Sequence, residues 1–86
     1  MNKLTIEYVR NIVVGNRVHL WVKLSTENET RECCYTRYNR VWCYELGDRE
    51  PEMSNELHKL FDGKKGNAAL NKVYNNYPHT PVTLEA

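Results

Sequence analysis

Polar and apolar residues alternate along the first half of the chain, and the period lengthens past Gly47. Leu4, Ile6 and Tyr8 alternate with Thr5, Glu7 and, beyond Val9, Arg10, which predicts a strand. The alternation is disturbed around Asn11, and Ile12, Val13 and Val14 follow as an unbroken apolar run; a β-bulge near Asn11 accounts for the break. Gly15-Asn16 then predicts a two-residue hairpin turn, because both residue types tolerate positive φ. Val18, Leu20, Val22 and Leu24 fall on one side of the next strand, and Arg17, His19, Trp21 and Lys23 on the other, the pattern of a half-buried strand. A polar connection over Ser25–Thr30, a strand over Arg31–Tyr38, a turn at Asn39-Arg40 and a strand over Val41–Leu46 complete a four-stranded antiparallel meander.

Glu50-Pro51 predicts a helix start, since proline fits a first turn and Glu52 favours the positive end of the helix dipole. Met53, Leu57, Leu60 and Phe61 share a helical face, and Asp62-Gly63 ends that helix. Asn67 is the expected N-cap of a second helix, in which Leu70, Val73 and Tyr74 share a face and which Pro78 stops. The tail is expected to be extended or frayed, although Val82 and Leu84 are spaced so that they could pad a sheet edge. These elements predict one α+β domain: a sheet part over 1–46, a helical part over 50–77 packed on one sheet face, and a tail over 78–86. The even-numbered residues of the second strand should meet Leu57, Leu60, Phe61, Leu70 and Val73, which leaves His19 and Trp21 on the open face.

Composition narrows the function classes. The chain has 86 residues, 12 basic and 11 acidic, for a net charge of +1. That balance excludes an acidic nucleic-acid mimic and supplies no overall basic bias for binding phosphates. The charge is polarised locally, with an acidic excess over 48–62 and a basic one over 63–77. Three cysteines, Cys33, Cys34 and Cys43, are odd in number and clustered, unlike a secreted disulfide framework. The first ten residues lack an apolar stretch of signal-peptide length and nothing reaches membrane-span length, so reduced thiols, a cytoplasmic location and no membrane are expected. Zinc motifs usually pair ligands two to four residues apart, and no such pair occurs, so neither a metal nor a cofactor is expected.

The run Arg31–Leu46 interleaves aromatic residues, arginine and cysteine. Trp21 and Lys23 lie on the polar side of their strand; the neighbouring strands add either Tyr35 and Arg37, or Tyr38, Trp42 and Tyr44, to the same side, with Arg40 in the turn. Such residues build cross-strand packing, the centres of protein interfaces, or platforms for single-stranded nucleic acid. Lys64-Lys65-Gly66-Asn67 lacks the spaced glycines of a phosphate loop and reads as a solvated basic loop. The expected contact residues are therefore Trp21, Lys23, Tyr35, Arg37, Tyr38, Arg40, Trp42, Lys64 and Lys65, with no catalytic residue. The reading these support is a non-enzymatic protein that docks on a larger protein or ribonucleoprotein complex and blocks it sterically. Phage and mobile-element inhibitors of host defence, anti-CRISPR inhibitors included, are of this kind. A nucleic-acid-binding module is the alternative.

Overall fold

The computed structural model describes residues 2–86 and contains β1 (Lys3–Val14), β2 (Arg17–Ser25), β3 (Thr30–Tyr38), β4 (Val41–Gly47), α1 (Asn55–Asp62), α2 (Lys64–Asn75) and β5 (Val82–Glu85). The four-strand meander is present, and the tail extends it: the sheet has five strands in the order β4-β3-β2-β1-β5. Leu4 pairs with Leu84 and Ile6 with Val82, so the apolar residues of the tail complete the buried face at the β1 edge. His79 ties the tail down further. Its ring stacks on Tyr8 at 3.6 Å, and its Nδ1 donates to the Val73 carbonyl at 2.7 Å.

Both hairpin tips point to the same end of the sheet. Gly15 takes a φ of 59°, as a tight turn requires, whereas Asn16 does not enter the left-handed region. At the other tip Asn39 and Arg40 both do. The bulge in β1 lies between Tyr8 and Arg10 and makes Val9 the extra residue, slightly ahead of the expected Asn11. It reverses the phase of the strand. Before it the even residues Leu4, Ile6 and Tyr8 oppose Leu24 and Val22 on the buried side; after it Asn11 and Val13 take that side, and Arg10, Ile12 and Val14 take the other.

The helices begin elsewhere than the sequence predicts. α1 starts at Asn55, where the Ser54 hydroxyl accepts from the Leu57 amide at 3.2 Å, and not at Pro51. The Glu52 amide is already committed, donating to the Glu29 carboxylate at 2.7 Å, and this bond holds the segment as a linker against the β2–β3 connection. α2 follows directly after Gly63, so Lys64 and Lys65 form its first turn and not a basic loop. Asn67 is not the N-cap because its side chain reaches across to the sheet: it accepts from the Trp42 amide at 2.9 Å and donates to the Arg40 carbonyl at 3.1 Å. It thereby closes part of the open β4 edge. Asn67→Ala leaves the Trp42 amide and the Arg40 carbonyl without these partners and should lower stability by about 1–2 kcal/mol; a urea unfolding midpoint equal to that of the parent would show that water replaces both bonds at no cost.

The core forms where the sequence places it. Val18, Leu20, Val22 and Leu24 pack with Leu57, Phe61, Leu70 and Val73, and Leu60 adds to them from the rim. Each fully buried leucine contributes about 1.5–3 kcal/mol through the water it excludes. Both helices lie on this one side of the sheet. Among the described residues, no helix is long and apolar enough to cross a membrane.

Candidate functional site

Strand register sorts the residues of Arg31–Leu46 between the two faces. Leu20 pairs with Tyr35 and Val18 with Arg37, and these pair in turn with Tyr44 and Trp42. Because Leu20 and Val18 face the helices, so do all four. Tyr35 and Trp42 are buried and belong to the core cluster, which removes them from the expected contact surface. Tyr35 donates its hydroxyl to Glu50; burial, and then that bond, raise the phenol well above its usual value. Arg37 lies between the Trp42 and Tyr74 rings, with its guanidinium 5.3 Å and 5.1 Å from their centroids. It shares the Asn71 side-chain oxygen with the Trp42 indole, which donates to it at 2.8 Å. Arg37 is thus a packing residue, held by its stem and ring contacts. Lys64 and Lys65 sit on α2, away from the open face, and Arg40 caps the β3–β4 tip. A cleft of about 560 Å³ runs between β4 and the helices, lined by Trp42, Tyr44, Phe61, Lys64 and Asn67 among others.

The open face carries Trp21, Lys23 and Tyr38 from the expected set, and among the described residues no helix covers it. It also carries residues that the strand pattern did not single out. Arg10 stands over Trp21 at 5.0 Å from the ring centroid, and Arg17 over Tyr38 at 5.5 Å. Ile12, Val14, Tyr38, Val41 and Leu46 are each 47–60 % exposed on this side, mostly towards the two hairpin tips. The apolar run Ile12–Val14 could have flagged part of this patch, but only the phase reversal at Val9 puts Ile12 and Val14 on the open face. Charge on this face balances: Arg10, Arg17 and Lys23 are matched by Glu7, Glu32 and Glu45.

A second bulge, between the Tyr35–Tyr44 and Cys34–Leu46 pairs, inserts Glu45 as an extra residue on the open face. Its carboxylate lies 2.8 Å from His19 Nδ1 and accepts from the Thr36 hydroxyl. Cys34 lies on the same face beside this group, whereas Cys33 points to the core and donates its thiol to the Asp48 carbonyl at 3.1 Å. Burial pushes the Cys33 thiol up to about 12, with the Glu50 and Asp48 charges adding to it. Burial, and then Glu45, also raise Cys34. Cys43 is exposed on the edge strand. The reactive form of a thiol is its anion, so one thiol per chain, Cys43, should label quickly with a disulfide reagent at pH 8 in the native state, and all three in denaturant. Fast labelling in native Cys43→Ser would contradict this placement.

No protein-family model matches the chain, and no curated protein or solved structure is significantly similar to it.

Proposed function

We propose that this chain is a non-enzymatic binding protein that docks on a larger protein or ribonucleoprotein complex through the open face of its sheet and occludes the surface it covers. The observation that carries the reading is the uncovered patch of Ile12, Val14, Tyr38, Val41 and Leu46, with Trp21 and Tyr38 each under an arginine. Apolar side chains around aromatic residues and arginine make up the energetic centres of protein interfaces. Exposed apolar side chains clustered with charged ones on one uncovered face are a usual mark of an interaction site. The matched charges of the face favour a protein partner over nucleic acid, whose binding is driven by neutralising phosphates with unopposed cations. The finer reading, an inhibitor of the kind that phage and other mobile elements direct against host defence complexes, rests on the small size of the chain and its steric mode of action.

Capture from lysate with the tagged chain, with and without nuclease, tests the proposal. A stoichiometric protein partner that survives nuclease and moderate salt is the expected result. Recovery of nucleic acid, with affinity that falls steeply as salt rises, would replace the protein reading with the nucleic-acid one.

A further inference from the structure

We propose that His19, Cys34 and Glu45 form a binding site for a zinc-type divalent cation on the open face of the sheet. The three residues come from β2, β3 and β4, and one donor atom of each lies within 4.8 Å of the others. Nitrogen, sulfur and carboxylate oxygen together make a donor set suited to zinc, cobalt or nickel, and three protein ligands leave a fourth position for water or another ligand. Short movements of the side chains bring donors at this separation to metal-bonding distance.

Two features argue for more than a chance cluster. Glu45 follows Val41 and Cys43 in alternating onto the open face, and the pairing of β2, β3 and β4 sets it beside His19 and Thr36, which are themselves a cross-strand pair. The arrangement also sets a carboxylate and a half-buried imidazole beside a buried thiol, three different donors converging from three strands. A divalent cation would replace the thiol proton, which passes to the buffer as the sulfur–metal bond forms. His19 and Glu45 are 24 % and 37 % exposed in their side chains, so the ion has an entry path, while Cys34 forms the floor. The Thr36 hydroxyl touches both His19 and Glu45 and ties the two side chains to β3.

Cobalt(II) titration of the reduced, isolated chain is the test, and it needs no partner protein. One equivalent should bind with a near-ultraviolet thiolate-to-cobalt charge-transfer band, and zinc should displace it. The band should disappear in Cys34→Ser and persist in Cys33→Ser and Cys43→Ser. Glu45→Gln and His19→Gln, which change more exposed positions and spare the fold should Cys34→Ser unfold, should each weaken binding at least about tenfold. Absence of a saturable band in the parent would overturn the site. So would a band that survives Cys34→Ser, or one that is lost in Cys43→Ser, which would mean adventitious binding to the exposed thiol.

Discussion

Gly66→Ala should destabilise the protein by about 3 kcal/mol, the upper end of what overpacking a core usually costs. Gly66 lies in the first turns of α2, and a β-carbon there would sit 1.6 Å from the Phe61 carbonyl oxygen, 2.4 Å from its carbon and 2.6 Å from its Cα. All three are backbone atoms of α1, so no side-chain rotation relieves the clash. Only a separation of the two helices can, and that would withdraw Phe61 and Leu57 from their places against the sheet. Against a total stability of about 5–15 kcal/mol for an ordinary domain, such a loss is large. Gly15→Ala is the natural comparison. Its β-carbon would meet nothing within 4 Å, and only the positive φ of 59° is strained, at a cost of about 1–2 kcal/mol. Urea unfolding of the two variants therefore separates crowding from backbone strain. A Gly66→Ala midpoint above that of Gly15→Ala would mean that the helix pair is less tightly joined than the structure has it.

Trp21→Ala should weaken binding to the captured partner by about 2 kcal/mol or more, roughly 30-fold, the scale of an interface hot spot. Trp21 lies near the middle of the open face, with the Arg10 guanidinium over its ring, so the pair offers apolar area and charge together. The fold should tolerate the change, because the flanking Leu20 and Val22 point to the opposite side and carry the core. Lys72→Ala, on an exposed position of α2, is the control and should leave affinity unchanged. Equal affinities of the parent and Trp21→Ala, with Lys72→Ala impaired, would move the interface to the helices.

These two expectations differ in how far the sequence alone supports them. The strict alternation of Val18–Leu24 fixes which side of β2 is buried, and with it the position of Trp21 on the open face. The i, i+3, i+4 spacing from Leu57 to Phe61 likewise identifies the helical face that meets the sheet. Helix starts were less legible because tertiary bonds override local capping signals: Glu29 holds the Glu52 amide in the linker, and Asn67 spends its side chain on the β4 edge. The burial of β3 could not be read because Cys33 and Cys34, and Tyr35 and Tyr38, supply equally apolar residues to both phases. The register with β2 decides it, pairing Tyr35 with Leu20 and thereby turning Tyr38 outward. The cation site was the least legible of all. His19, Cys34 and Glu45 come from three separate strands, and they meet only because those strands pair in one register.

The docking of the open face is the claim on which the functional account turns. The most direct measurement is site-specific photo-crosslinking in lysate, with the crosslinker placed at Lys23 on the open face or at Lys72 on α2, both exposed. The expected result is a single protein adduct from position 23, lost in a Trp21→Ala background, and none from position 72. A protein adduct formed from position 72 alone would contradict the account.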